Sequence, residues 1–526
     1  MAPGHVAILG GGLTGLSSAL HLSRRFPGSR ITLLEKQTIL GGWVRSERVQ
    51  IHQSDASVVL EAGPRTLRPN AKSILELINI LNLQDSVITV SKTSPAAKAR
   101  FLYVPKDSAA IPKIEGLQQL PSSILSLLSS PFRSIMLPAI MRELIKRSNR
   151  PKATDESVDS FLARRFGESF ARTFGSALVH GIYAADSRKL SVRAAFPTLW
   201  QVEDRGGGSL IRGLIVPQRI NAKQRTADNG NYDLGNTLEM MQDASVYSFR
   251  DGMETLTCAM ENYLKAQSNV HILPGTGISR LVHKNNKSIE LLTTSGEILS
   301  PTHVVSALPL HALHSIISDS NSLNLPHLTA NPTSTVHVVN FVFPCAPAQI
   351  HPAGFGYLIP RPIAGYPSSS TPSSPGILGT VFDSCSLYAQ DTPSVPDYFN
   401  NGRLTKLTLM TGGPYPTPSL PPHLSSPETD GSIPDVVRRL LRNLELHLGK
   451  KLPDPVYWRV RKNEACIPTL LPGHVDRMEE MKKILLGSGD GRSGWDGRLE
   501  IVGAGVGGVS VGDCVEAGKH VGKHWV

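Results

Sequence analysis

The sequence predicts an α/β fold, α+β over the whole chain, and three stretches carry that prediction. An apolar run, Val6 to Leu9, leads through a glycine turn into apolar residues at helical spacing from Leu13 to Leu22. HVVSALPLHAL, from His303 to Leu313, has the form of a buried strand ahead of a crossover helix. LEIVGAGVGGVSVGDCVEAG, from Leu499 to Gly518, is a second glycine-dense passage between an apolar strand and a helix.

The first stretch is a βαβ unit. Gly10, Gly12 and Gly15 fit the G-x-G-x-x-G spacing, with Gly11, Leu13 and Thr14 between them. One glycine makes the turn, one lets backbone approach a pyrophosphate, and one lets helix close on strand. The helix N-terminus then offers unpaired N–H groups and a positive dipole end to the phosphates. A second strand, Arg30 to Leu34, ends at Glu35, followed by Lys36. Glu35 stands where an acid accepts bonds from the ribose hydroxyls of an adenine dinucleotide. An acid there argues against NADP and leaves NAD and FAD open.

LGGWVRSERV, Leu40 to Val49, brings the double glycine Gly41-Gly42 and Trp43 just after the ribose acid, and LEAGPRTLRPN follows from Leu60 to Asn70. This order resembles flavin-dependent amine-oxidase-like enzymes. In them the double glycine keeps a loop near the cofactor diphosphate, and the later glycine-proline turn passes the isoalloxazine ring. At the C-terminal end, the turn through Gly503, Gly505, Gly507 and Gly508 opens a helix bearing Glu516 and Gly518. A second NAD site is the alternative there. No acid follows at a ribose position, so closure of one FAD site by both ends of the chain is the preferred reading.

At 526 residues the chain accommodates two or three domains with full cores. Hydrophobic residues at 40% and charged residues at 18% are globular values, and 39 prolines with 46 glycines predict many loops. The formal charge of +11 favours acidic ligands or an anionic surface. Nucleic acid is not indicated, because zinc spacing, an aromatic RNA-binding signature and long Lys/Arg runs are all missing. Cys258, Cys345, Cys385, Cys466 and Cys514 lie far apart with no C-x-x-C pair, so neither a disulfide framework nor a metal site is expected. The first strand begins almost at once, which leaves no room here for a cleavable leader, and no apolar stretch reaches the ~18 residues of a membrane span.

Pro112 to Arg150 reads as short apolar helices broken by Pro121, Pro131 and Pro138 and edged by Arg133, Arg142, Lys146 and Arg147. This composition suits an interfacial anchor on an anionic membrane and equally a helical subdomain on its own core. Gly213 to Ser245 reads as a polar insertion or disordered loop, and YPSSSTPSSP, Tyr366 to Pro375, as a low-complexity loop, as does the proline-rich Tyr415 to Pro427. VHILPGTGISRLVHK, Val270 to Lys284, returns to strands. The resulting division assigns 1–90, 246–310 and 488–526 to a discontinuous FAD-binding domain. It gives 91–210 to a helical membrane-associating region, 211–245 to the insertion and 311–487 to a substrate domain.

GGGLTGLSSALHLSRR, LGGWVRS, AGPRTLRP, ARFLYVP, HGIYAADSRKLSVRAAFP, GFGYLIP, GILGTVFDS and VGGVSVGDCVEAG, in this order along nearly the whole chain, resemble the protoporphyrinogen oxidase family. The resemblance implies oxidation of protoporphyrinogen IX to protoporphyrin IX through FAD. Oxygen is then the acceptor and hydrogen peroxide the product, with six electrons leaving in three rounds. It also implies a homodimer lying monotopically on the mitochondrial inner membrane from the intermembrane-space side, with ferrochelatase as a partner.

By the same resemblance, Arg100 matches an arginine that pairs with a substrate propionate, and Arg65 a second arginine near flavin and substrate. Phe355 and Leu358 match an apolar pair sandwiching a pyrrole ring, Gly181 a backbone contact to the macrocycle, and Met410 a cavity-lining residue. For FAD the matches are Gly10 to Gly15, Glu35, Lys36, Gly42, Trp43, Gly63, Pro64, Arg65, Thr66, Ile278, Ala504, Val509, Ser510 and Val511. The sequence departs from related flavoproteins at Ile39, where an arginine is common. Another amine-oxidase-fold flavoenzyme (a carotenoid desaturase or an amine oxidase) and a catalytically silent FAD-binding scaffold are the alternative functions.

Overall fold

The computed structural model describes residues 2–51, 55–106, 114–145, 155–216, 231–284, 288–317, 325–369, 375–392, 404–416, 420, 422–426, 432–487 and 495–525. Two sheets organise these residues. The first is five-stranded and parallel, in the order Leu499–Ile501, His303–Ser306, His5–Leu9, Arg30–Leu34, Val270–Leu273. Its central strand, HVAIL, is buried along almost its whole length, as an apolar run covered on both faces must be. Strands from both termini and from mid-chain thus share one sheet, as the glycine-rich ends and HVVSALPLHAL predict.

Helices cover both faces. Leu13–Arg25 and the C-terminal helix Val511–His520 lie against each other on one side, where Gly518 is so close to Ser17 that a Cβ would stand 2.7 Å from that side chain. On the other side, Leu310–Ile317 and His474–Leu486 share an apolar core with Ala7, Leu9, Val304 and Trp495. The expected boundaries near 310 and 487 therefore divide elements that belong with the dinucleotide sheet, because these two helices bury their apolar faces on it.

The second sheet has eight strands, and Thr333–Phe343 lies between Tyr457–Pro468 and Thr405–Gly412. Ile377–Val381, Gly356–Leu358, Phe101–Val104 and Gly116–Gln119 continue it outward. Two expectations change here. Residues 116–119, read from sequence with the apolar helices, form a strand paired with Phe101–Val104. The start of the expected helical region is thereby part of this sheet, held by pairing that no local periodicity reveals.

The helical region proper begins with Ile124–Ser129, capped by Ser123, and continues as Arg133–Ile145. The helix runs through Pro138 instead of ending there. Pro138 is exposed, as is Ser134 one turn back, so the carbonyl deprived of its partner lies on the outer side. Lys146 and Arg147 lie outside the described residues. Glu143 ties this helix inward: its buried carboxylate accepts from Arg165 Nη2 at 2.5 Å and from Leu210 N at 2.7 Å.

The described parts of the expected insertion are built structure. Leu210–Ile215 is a helix capped by Ser209, and Leu234 and Met241 join the core beneath Leu13–Arg25. Tyr232 donates to Glu516 of the C-terminal helix at 2.8 Å. A few well-placed apolar residues suffice to seat this mostly polar segment.

Candidate functional site

The glycine turn has the shape its spacing predicts. Gly10 takes φ +98, which favours glycine, and a Cβ on Gly15 would collide with the Gly10 carbonyl oxygen. Helix Leu13–Arg25 can approach its strand only because that position is bare. Its N-terminus has no side-chain cap and no acid in the first turn. The nearest atom to a Cβ on Gly12 would be Gly42 Cα, 3.9 Å away. A bare helix N-terminus facing two glycine backbones is a cradle that suits a diphosphate.

Glu35 lies beside it, accepting from Gly11 N at 2.6 Å and Gln37 N at 2.9 Å. The double-glycine loop is pinned to the turn by Gly41 N donating to Gly11 O at 2.9 Å. Thr276 N donates to Glu35 O, and a Cβ on Gly277 would stand 3.4 Å from Lys36 Cβ, so Ile278 begins its strand at the same end. From the C-terminal side, Gly503 approaches Thr14, and burial pushes the Cys514 thiol up to about 11 against the opposing pull of a hydrogen bond with Thr14. Ala504 and Val509 follow on this turn, and Ser510 caps the helix that starts at Val511 in a reciprocal box with Asp513.

A polar junction, not expected from sequence, holds these loops. Ser46 N donates to Glu254 and Ser46 Oγ to Glu61, while Met253 N donates to Glu61 at 2.9 Å and Arg45 pairs with Glu254 at 3.1 Å. Burial pushes the Glu61 carboxyl up to about 7, against the opposing pull of Ser46, Met253 N–H, Arg65 and Lys406. Gly63 lies so close to the Trp43 carbonyl that a Cβ there would clash, which sets residues 63–66 against the double-glycine loop. Pro64 and Thr66 are half-buried in that turn.

Arg65 points inward. It is 8% exposed and pairs at 3.2 Å with Asp383, which accepts from Thr408 Oγ1 at 2.5 Å. Arg100 is different: its side chain is exposed, donates to Ala97 O at 3.3 Å, and has the guanidinium of Arg68 as its charged neighbour. Partial burial of the guanidinium first, and that like charge second, lower its pKa, although the residue as a whole stays open to water. Neither Arg68 nor Arg100 has an acidic partner among the described residues, so the positive charge of this pair is not compensated by them.

The expected substrate residues gather on the eight-stranded sheet. Leu358 is opposite Gly379, and Gly379 opposite Met410, so the three form one row across adjacent strands. Gly181, in helix Ser176–Tyr183, faces that row: a Cβ there would meet the Leu358 methyl carbons at 2.8 and 2.9 Å. Phe355 sits half-buried ahead of Leu358, its N–H donating to Ala99 O beside Arg100. Four of the six residues, Gly181, Leu358, Phe355 and Met410, thus reach the sheet, and Arg100 stands at its edge. Arg65 joins through Asp383 and Thr408, two residues along the strand from Met410.

Gly379, Asp383, Glu61, Ser46 and Arg68 were not singled out from sequence. All five lie within GILGTVFDS, LGGWVRS or LEAGPRTLRPN, so their place inside these motifs is the signal the sequence carries. Among the described residues no cluster of His, Cys, Asp and Glu could hold a metal, and no helix is long and apolar enough to cross a membrane.

A nucleotide cradle closed by both chain ends, joined to a sheet-lined apolar row, defines a flavoprotein oxidoreductase whose cofactor is FAD. The chain belongs to the flavin containing amine oxidoreductase family, whose sequence profile matches residues 13–485, and within it to the protoporphyrinogen oxidases. It is 33% identical to the protoporphyrinogen oxidase of Schizosaccharomyces pombe over 98% of both chains. It is 31% identical to that of Homo sapiens over 98% of this chain and 96% of the human one. Among solved structures, a protein from Exiguobacterium sp. 255-15 described as a protoporphyrinogen oxidase superposes with TM-score 0.70 at 20% identity, covering 98% of this chain and 97% of that one. A reduced UDP-galactopyranose mutase superposes with TM-score 0.60 at 13% identity, over 100% of this chain and 94% of that one, a likeness of fold alone.

Proposed function

We propose that the protein oxidises protoporphyrinogen IX to protoporphyrin IX, using oxygen as acceptor and releasing hydrogen peroxide. The observation that carries this reading is the apposition of Gly181 to Leu358 in the row with Gly379 and Met410. Glycine on two sides lets Leu358 seat its methyl groups tightly between helix Ser176–Tyr183 and the sheet, which fixes the side chain that would meet a pyrrole ring. FAD, when bound, takes up two electrons per round and passes them to oxygen. The chain's own work is to bind, orient and exclude water.

Arg100, with Arg68 beside it, receives the propionates; a guanidinium gives a bidentate, permanently charged contact. Phe355 and Leu358 hold a pyrrole ring, Gly181 offers its backbone, and Met410 lines the cavity. Arg65, neutralised by Asp383, serves as a fixed wall between cavity and cofactor and leaves anion binding to Arg100. Glu61 and Ser46 keep the 41–46 and 252–254 loops in place around the cofactor.

The membrane-facing surface is Ile124–Ser129 with Arg133–Ile145. Ile124 is 80% and Leu125 81% exposed, and Met141, Leu144 and Ile145 are exposed as well. Leu178 and Ile182 of the Gly181 helix, and Leu214 to Val216, extend the apolar surface. Such side chains are stabilised by leaving water, and basic Arg133 and Arg142 suit anionic headgroups. A monotopic homodimer on the mitochondrial inner membrane, facing the intermembrane space and passing its product to ferrochelatase, accords with this surface.

Aerobic turnover by the FAD-loaded protein tests the reading, following porphyrin fluorescence and peroxide against an enzyme-free autoxidation control. About three peroxides per porphyrin are expected from the two-electron rounds. Bound flavin with no rate above autoxidation would return the substrate assignment to the other flavoenzymes of this fold or to a silent scaffold.

A further inference from the structure

The segment after Leu358 crosses helix Ser176–Tyr183 and is fastened to it at successive points. His180 is buried, with Nδ1 2.7 Å from Ile359 O and Nε2 2.8 Å from Tyr366 Oη. A carbonyl can only accept, so Nδ1 carries the proton and Nε2 accepts from the tyrosine hydroxyl. Arg361 N donates to Ser176 Oγ at 2.9 Å, and the Arg361 guanidinium pairs with Asp159 at 2.9 Å.

Tyr366 is held on its other sides too. Its ring meets Tyr415 edge-on with centroids 4.9 Å apart, and the Arg188 guanidinium lies 5.4 Å from its centroid. Arg188 is itself committed to Asp186 at 2.8 Å. The Tyr366 ring belongs to the apolar cluster of Met410, Val338, Leu378 and Tyr415. It therefore shares one apolar cluster with Met410, the end of the Leu358–Gly379–Met410 row.

We propose that Tyr366 is a further specificity-determining residue. Through its bond to His180 it positions Gly181 against Leu358, and its ring forms part of the cavity wall for a planar tetrapyrrole. The inference rests on the proposed porphyrinogen reading. His180 immediately precedes Gly181, and Ile359 immediately follows Leu358, so one imidazole clamps both sides of the Gly181–Leu358 contact. The tyrosine hydroxyl satisfies the remaining imidazole nitrogen, and without it a buried acceptor is left unpaired beside the cavity.

The test compares wild type with Tyr366→Phe in the full-length, FAD-loaded protein. KM for protoporphyrinogen IX and kcat are measured, together with the Kd of protoporphyrin IX from fluorescence quenching. The expected result is a KM and Kd raised about five- to tenfold with kcat within about twofold, the pattern of lost binding interactions, while flavin content and Tm hold. KM and Kd within twofold of wild type would overturn the proposal.

Should Tyr366→Phe fail to accumulate as a flavoprotein, His180→Gln and His180→Leu carry the test. Glutamine keeps an N–H for Ile359 O and an oxygen for the tyrosine, so leucine must raise KM more, and equal values overturn the proposal. A wild-type protein without turnover above autoxidation overturns the porphyrinogen reading itself, whatever the variants do.

Discussion

Arg65 and Arg100 show how burial divides two arginines that sequence treats alike. Arg65 is enclosed and matched by Asp383, so breaking that pair leaves a buried unpaired charge. Asp383→Asn is expected to cost about 3–5 kcal/mol, as removal of one partner of a buried pair does; chemical denaturation checks this. Arg100 is exposed and has no acidic partner among the described residues. Its replacement by alanine should raise KM for protoporphyrinogen about 10- to 100-fold with little change in stability, the range of charged hydrogen bonds. A steady-state KM near wild type for Arg100→Ala would remove it from the substrate contact. Gly181→Ala makes a sharper demand, since its Cβ would stand 2.8 Å from Leu358. Turnover should fall and be partly restored in the double variant with Leu358→Ala, a coupling that a double-mutant cycle measures. Individual arginines were legible in the sequence through their motifs, whereas their partners were not. Asp383 is more than 300 positions from Arg65, and only the sheet brings them together.

At the scale of elements, the glycine turn was readable almost residue by residue, because its geometry is enforced locally. Gly10 needs its positive φ, Gly15 needs its missing Cβ, and both needs are written in the spacing. Gly15→Ala should abolish flavin retention after purification; a variant with the wild-type flavin absorbance per protein would overturn that account of the turn. The strand at 116–119 and the unbroken helix through Pro138 were not readable, for opposite reasons. The strand exists through pairing with Phe101–Val104, a tertiary gain that overrides local pattern. The proline is tolerated because its unmatched carbonyl lies on the outer surface. The apolar helices are open to their own test. Serine at Ile124, Leu125, Leu128, Met141, Leu144 and Ile145 removes side chains whose burial contributes about 1.5–3 kcal/mol each when complete. Such a variant should stay in the supernatant when wild type sediments with anionic liposomes.

Across the whole molecule, discontinuity set the limit on what the sequence disclosed. Motifs at both ends and near 303 were sufficient to join distant segments into one sheet. Helices Leu310–Ile317 and His474–Leu486 were assigned elsewhere because an apolar helical face does not say which sheet it will cover. The same long-range assembly makes Glu61 a sensor of integrity, since its carboxyl touches Ser46 from one loop and Met253 from another, near Arg65 and Lys406. Burial pushes that carboxyl up to about 7 from an ordinary 4.5, so the folded chain binds its proton more tightly than the unfolded chain does. Stability from this group is therefore fully present below pH ~4.5, declines as pH rises, and is gone above pH ~7. Glu61→Gln cannot titrate, so the difference in Tm between wild type and variant should shift against wild type from pH 4.5 to 7 and level off above it. A difference that is flat across this window would mean that the carboxyl is ionised throughout, and that the junction is held by charge where its burial argues for a proton.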